Sequence, residues 1–173
     1  DPYNFCSDPL NYVRKRSIAV LAESDSKFRN DLINQLNELE IGSRKQGRLI
    51  NGVQSAGNLL RRKEDVFRVL AGHILVEIDN YLDELDKDCE FLRAFPKTPS
   101  FQSSWFVKMQ NQGHLTSHIH ETGWLSGVVY LQIPDNQLDN DGKIQFGIDG
   151  DSYPNTNVTY PKKVLDINEG DIV

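Results

Sequence analysis

Three of the four histidines of this chain, His114, His118 and His120, lie within a stretch of seven residues. His118 and His120 are separated by one residue, and on an extended strand this spacing places both imidazoles on the same face. Two neutral imidazoles side by side pack poorly in a core, but they can supply two ligands of a metal ion. The spacing therefore predicts a metal site formed by His118 and His120. Because a strand-like run follows them, we expect this site at the mouth of a β-barrel.

The neighbouring polar residues are weaker candidates for this site. Glu121 points to the opposite face of a regular strand, but a β-bulge would redirect it, so Glu121 is the reserve ligand that could replace His120. His114 is an even number of residues from His118 and His120, so a regular strand would place it on the same face. It follows a glycine-led turn, however, and we expect it in a surface loop. His73 lies within a predicted helix, where we expect a structural or exposed side chain.

The overall composition excludes several classes of function. The net charge is −6, whereas non-specific nucleic-acid binding needs a basic surface. No apolar run approaches the roughly 20 residues of a membrane-spanning helix. Cys6 and Cys89 fit no metal or redox spacing, so a reduced, cytoplasmic setting is expected. The chain has no initiator Met and ends inside a strand-like run, so we expect a C-terminally truncated piece of a longer protein.

The first half of the chain has helical periodicity. Residues 24–26 offer N-cap oxygens ahead of a first helix that ends at Gly42. The apolar residues of this helix recur at helical spacing, at Phe28, Leu32, Leu36 and Leu39. A second helix is predicted over about 63–88, and its apolar stripe consists of Val66, Leu70, Ile74, Ile78, Leu82 and Leu85. The polar stretch 47–60 between them has room for a short strand. Residues 1–100 are thus predicted to form a mainly helical N-terminal buttress.

After a break at residues 95–99 the pattern changes to the alternation that is typical of β-strands. Five strands are predicted, over 104–110, 125–133, 143–148, 164–167 and a fifth that begins after Asp171. Short strands with turns between them indicate an antiparallel sandwich or jelly roll. The predicted fold class is α+β, with N-terminal helices packed on an antiparallel double-stranded β-helix (jelly roll) that spans residues 101–173 and is incomplete at its C-terminus.

Two alternatives for the histidine pair stay open. In the cupin metal centre a glutamate ligand follows the His-x-His three or four residues later, and this chain has Trp124 or Leu125 there. A cupin-like metal enzyme would therefore need a glutamate from elsewhere in the barrel. The other alternative is a non-enzymatic jelly-roll binding module whose histidines are structural.

Several separate motifs resemble one family, the 2-oxoglutarate/Fe(II)-dependent oxygenases of the type often found with tetratricopeptide repeats. The similarity runs from about Leu49 to Val173. Most of its weight lies in Gly123-Trp124-Leu125-Ser126-Gly127-Val128-Val129-Tyr130-Leu131, which resembles the family's W-L-S-G-x-Y-Y segment. The other similar motifs are Gln54-Ser55-Ala56-Gly57-Asn58-Leu59, Trp105-Phe106-Val107, His118-Ile119-His120 and Gly142-Lys143-Ile144-Gln145-Phe146-Gly147.

The resemblance implies a dioxygenase (hydroxylase) that couples the oxidative decarboxylation of 2-oxoglutarate to substrate C–H oxidation, with a protein side chain as one candidate substrate. It implies Fe(II) and 2-oxoglutarate as cofactors and O₂ as a partner. The charge and the lack of a long apolar run already argue against nucleic acid and membrane as partners. His118 takes the place of the family's first histidine ligand, and His120 that of its carboxylate. The third ligand and the basic residue that holds 2-oxoglutarate are expected beyond Val173, so this piece is expected to be inactive alone. No further catalytic residue and no 2-oxoglutarate-binding residue is assigned within the chain.

Overall fold

The computed structural model describes residues 8–86, 89–134, 142–149 and 159–173. Cys6 and the predicted helix end near Asp88 lie outside these ranges. The described helices are α1 (Ala19–Ala22), α2 (Lys27–Glu38), α3 (Asp65–Asp83), α4 (Glu90–Ala94) and two 3₁₀ helices (Pro9–Tyr12 and Leu59–Arg61). No helix in the described ranges combines the length and the apolar character needed to cross a membrane.

Helix α2 is the first predicted helix, and its N-terminus is capped as its sequence indicates. The Ser26 hydroxyl accepts a hydrogen bond from the backbone N–H of Arg29 at 2.9 Å, which satisfies one of the unpaired N–H groups of the first turn. Leu32 and Leu36 of the predicted stripe are buried. Leu39 already has an extended backbone, so the helix ends earlier than the predicted Gly42.

Helix α3 is the second predicted helix, and it is shorter than the predicted 63–88. Its most deeply buried side chain is Phe67, which is fully inaccessible to solvent, and Tyr81 is also buried. Neither belongs to the predicted stripe. Helical spacing also relates Phe67, Leu70, Ile74 and Tyr81. The face of α3 that packs against the core is therefore rotated from the face that the aliphatic stripe predicted.

Seven strands are described, and the pairing between them is antiparallel throughout. They are β1 (Arg16–Ser17), β2 (Ser43–Arg44), β3 (Leu49–Ser55), β4 (Val107–Leu115), β5 (Lys143–Gly147), β6 (Lys162–Asp166) and β7 (Asp171–Ile172). Three sheets result, in the orders β2-β3-β4, β5-β6 and β1-β7. The mixed helical and antiparallel character of the prediction is therefore confirmed, whereas the jelly roll, like the domain division at residue 100, stays a prediction.

The segment 125–133, predicted as a regular strand, is not one. Its β-structure is a single bridge between Val129 and Ile172. Around that bridge the N–H of Tyr130 donates to the carbonyl oxygen of Asp171, and the N–H of Val128 to that of Val173, both at 2.9 Å. The partner strand β7 covers Asp171–Ile172.

The main core lies where the helices meet the strands. Its buried members are Ile18, Leu21, Leu32, Leu36, Leu59, Phe67 and Leu70. Phe106, Val129, Leu131 and Ile172 from the second half of the chain pack against this cluster. Residues of the helices and of the strand region therefore share this core.

A polar clamp around Asn58 joins the two halves of the chain beside this core. The Asn58 amide donates to the backbone oxygen of Gln102 at 3.1 Å, and its oxygen accepts from the Ser104 hydroxyl at 2.5 Å. Gly57 before it has a φ of +82°, a conformation that side chains other than glycine rarely adopt. The clamp holds the chain in place directly before Trp105.

Candidate metal centre

The predicted histidine pair lies in a loop that follows β4. Residues 116–128 contain no regular strand, so the strand expected to carry both histidines ends before them, at Leu115. The loop is nevertheless anchored, because the Thr116 N–H donates to the carbonyl oxygen of Arg48 at 2.9 Å. The pair is thus held against the hairpin formed by β2 and β3.

The two imidazoles face each other. The Nε2 atoms of His118 and His120 lie 3.2 Å apart, and the ring centroids are 5.1 Å apart with the planes inclined at 44°. The predicted convergence of the two side chains therefore holds, although a loop rather than a strand produces it.

Each ring has a second partner at its other nitrogen. The Nδ1 atom of His118 lies 2.8 Å from the carbonyl oxygen of Thr116. A carbonyl oxygen only accepts, so this Nδ1 carries the proton, and the Nε2 of neutral His118 presents a lone pair. The Nδ1 atom of His120 lies 2.7 Å from the Ser126 hydroxyl, which can donate or accept.

The Ser126 hydroxyl therefore permits two states of the pair. When it donates to Nδ1 of His120, the Nε2–H of His120 donates to His118 and the network is satisfied without a metal. When it accepts from Nδ1–H instead, both Nε2 atoms present lone pairs to the space between them. A cation or a hydrogen-bond donor between the two nitrogens then stabilises the arrangement, because two lone pairs at this distance repel each other.

The spacing of the two nitrogens fits a divalent transition metal. Imidazole nitrogens bind such ions at about 2.1 Å, and two ligands at right angles would then lie about 3 Å apart, close to the observed 3.2 Å. Hydrogen bonds from Nδ1 to a carbonyl or hydroxyl oxygen are the usual second partners of metal-bound histidine. Within the described ranges no cluster of three or more His, Cys, Asp or Glu residues completes the site.

The electrostatics of the pair favour the neutral form that binds metal. Burial lowers the pKa of His120 from its ordinary value of 6.5, and the charge that His118 can carry lowers it further. Two imidazolium groups this close would repel each other, so His120 stays neutral to lower pH than an isolated histidine does.

The histidine pair forms one wall of a cavity of about 260 Å³. The remaining lining residues are Arg44, Gln46, Arg48, Gln54, Trp105 and Ile119. The Trp105 ring lies 5.7 Å from that of His120, at 59°. Sequence reasoning did not assign these residues to the site, although Gln54 and Trp105 belong to motifs that it had singled out.

The other predicted candidates lie outside this cavity lining. His114 is an exposed residue of β4 opposite Ile50, so the expectation of a surface position was right but that of a loop was wrong. Glu121 is exposed and is not among the lining residues. His73 is half-buried on α3 with its ring 5.8 Å from Phe28, which agrees with a structural role.

Comparison with known proteins matches the second part of the chain to one family. A family model described as "Putative 2OG-Fe(II) oxygenase" matches residues 103–173. Searches of curated proteins and of solved structures found no match. The matched segment contains His118, His120 and Ser126, so it supports, in general terms, an oxygenase that uses iron(II) and 2-oxoglutarate.

Proposed function

We propose that this protein is an Fe(II)/2-oxoglutarate-dependent dioxygenase in which His118 and His120 are two of the iron ligands. The observation that carries the proposal is the 3.2 Å approach of the two Nε2 atoms inside the segment that the oxygenase family model matches. A third ligand would come from outside the described residues. Iron(II) bound there, together with 2-oxoglutarate and O₂, supplies the oxidising power for substrate C–H hydroxylation.

The residues around the pair would orient the ligands. The carbonyl of Thr116 fixes the tautomer of His118, and the Ser126 hydroxyl accepts from Nδ1–H of His120 when metal binds. Trp105 lies against His120 and limits the access of water to this side of the ring. The chain itself thus provides two preorganised imidazole ligands and a partly apolar wall.

The substrate and the location of the protein are finer parts of the proposal. A protein or peptide side chain is the substrate class that the sequence resemblance suggests, and the cavity beside the histidines is the place where it would approach. A cytoplasmic location stays a prediction. Cys89, the free cysteine within the described ranges, is compatible with it.

An anaerobic titration of the complete protein with Fe(II), with and without 2-oxoglutarate, tests the proposal. We expect a visible charge-transfer absorption that needs both components, and we expect His118→Ala and His120→Ala to abolish it. His114→Ala is the matched control, because it removes an exposed imidazole outside the cavity.

The other outcomes identify the alternatives. Retention of the absorption and of succinate formation in His118→Ala would refute the ligand assignment. Metal binding without the 2-oxoglutarate-dependent absorption would favour the cupin-like enzyme, and the absence of metal binding would favour a non-enzymatic binding module.

A further inference from the structure

Two segments of this chain contain no acidic residue. Neither 41–63 nor 91–120 has an Asp or a Glu, so all 25 acidic residues lie in the rest of the chain. The same two segments hold nine of the 19 lysines and arginines. The net charge of −6 is therefore unevenly distributed along the chain, and these two segments are basic.

The fold brings the two segments together around the cavity beside the histidine pair. Strand β3 of the first segment pairs with β4 of the second, and the Thr116 N–H donates to the carbonyl oxygen of Arg48. Each described residue that lines the cavity belongs to one of the two segments. The described wall of the cavity therefore has guanidinium and imidazole groups but no carboxylate.

Residues 43–48, which we call the basic hairpin, carry three positive charges beside this cavity. Arg44 and Lys45 are exposed, and neither forms an ion pair with a carboxylate in the part of the chain that the structure describes. Arg44 and Arg48 line the cavity, whereas Lys45 is not among its lining residues. The basic surface therefore extends beyond the cavity itself.

We propose that the basic hairpin and the adjoining cavity wall are a docking surface for an acidic segment of a protein partner. Opposite charge steers such a segment to the surface and fixes its orientation. The side chains of Arg44 and Lys45 supply the cationic partners for its Asp or Glu carboxylates.

The apolar residues of the same wall fit a polypeptide. Ile119 is 55% exposed and lines the cavity together with the half-buried Trp105. Aromatic residues and arginine are enriched at protein interfaces. The surface does not depend on the proposed function, but the inference that the docked protein is the substrate of the oxygenase rests on it.

A nucleic acid is the other polyanion that a basic surface could attract. Its affinity comes from the neutralisation of many phosphates, whereas the basic hairpin has three positive charges on a protein whose net charge is −6. A short acidic peptide needs only a local match of charge. The charge distribution therefore favours a protein partner.

Fluorescence anisotropy with a labelled acidic peptide tests the surface. The probe is a peptide of four Glu-Gly repeats, and the neutral probe has Gln in place of each Glu. The complete protein is first mixed with excess Mn(II) and 2-oxoglutarate, so that the co-substrate does not compete for the same charges during the titration.

Two double variants of equal net charge locate the binding. Arg44→Gln with Lys45→Gln removes two charges from the basic hairpin. Lys27→Gln with Arg68→Gln removes two exposed charges from α2 and α3, outside the cavity lining. Thermal unfolding shows whether each variant is folded.

We expect the hairpin variant to bind the acidic peptide about fivefold more weakly than the unmodified protein, because two exposed charge pairs are lost. The helix variant should bind it clearly more tightly than the hairpin variant does. Added salt should weaken the binding, since exposed charges are screened, and the neutral peptide should bind far more weakly than the acidic one.

Three results would overturn the proposal. The first is equal affinity of the two folded double variants, because net charge alone would then explain the binding. The second is the absence of binding by the acidic peptide. The third is tighter binding of an oligonucleotide of eight thymidines with the same dependence on the basic hairpin, which would replace the protein partner by a nucleic acid.

The outcome is separable from that of the proposed function, because iron binding is measured in its own titration with His118→Ala. Hairpin-dependent peptide binding by a protein without the 2-oxoglutarate-dependent absorption would retain the docking surface and reject the oxygenase centre. An intact absorption without peptide binding would reject the docking surface alone.

Discussion

The contact between Ser126 and His120 gives the sharpest test of the metal centre. Replacing Ser126 by alanine removes the oxygen that lies 2.7 Å from Nδ1 of His120. In the metal-bound state this Nδ1–H donates to Oγ, so the variant loses one hydrogen bond to a ligand. A net hydrogen bond contributes about 1 kcal/mol, and second partners of metal ligands typically account for about 10–100-fold in affinity.

The exposure of Ser126 determines where in that range the effect falls. Because Ser126 is exposed, water can replace its hydroxyl, and we expect the low end of the range, about tenfold weaker binding, which corresponds to about 1.4 kcal/mol. The free energy of unfolding of the metal-free protein should fall by no more than about 1 kcal/mol, because that state loses only the exposed hydrogen bond between Ser126 and His120.

Anaerobic calorimetric titration with Fe(II) measures this effect. Ser126→Thr retains the hydroxyl and should retain most of the affinity, and Ser103→Ala removes an exposed serine outside the cavity lining as a control. Equal Fe(II) affinity in Ser126→Ala and in the unmodified protein would refute the argument that this hydroxyl orients His120. A loss in Ser126→Thr as large as in Ser126→Ala would refute it as well.

Three further predictions concern pH and stability. The pKa of His120 is lowered from 6.5 in the folded protein, so the unfolded state binds more protons just below pH 6.5, and the free energy of unfolding should fall as the pH decreases through that window. Urea titrations at several pH values should show that the free energy of unfolding depends less on pH in His120→Gln than in the unmodified protein. An equal pH dependence would contradict the argument. Phe67→Ala empties a fully buried site and should cost about 3–5 kcal/mol in urea denaturation, whereas the exposed neighbour Val69 replaced by alanine should cost far less; equal losses would contradict the assigned core. Ser26→Ala removes the cap on the Arg29 N–H and should lower the free energy of unfolding by about 1–2 kcal/mol; a near-zero change with unaltered α2 helicity by circular dichroism would contradict the role of the cap.

The local features of this protein could be predicted from its sequence. The Ser26 cap and the buried Leu32 and Leu36 follow from side chains a few residues apart, whose relation within a helix is set by local geometry. The predicted strands over 143–148 and 164–167 correspond to β5 and β6 for the same reason. The convergence of His118 and His120 was also predicted from their spacing, although a loop and not the expected strand produces it.

The features that depend on distant segments were decided only by the tertiary structure. The run 125–133 has the composition of a strand, but a strand also needs backbone pairing with a distant segment, and among the described residues this run pairs through one bridge, between Val129 and Ile172. The lining of the cavity depends on the register that pairs Arg44 with Gln54 and on the loop that brings His118 and His120 to the same cavity. Residues more than 60 positions apart in the sequence meet there, and such proximity results from chain packing, which no local periodicity encodes.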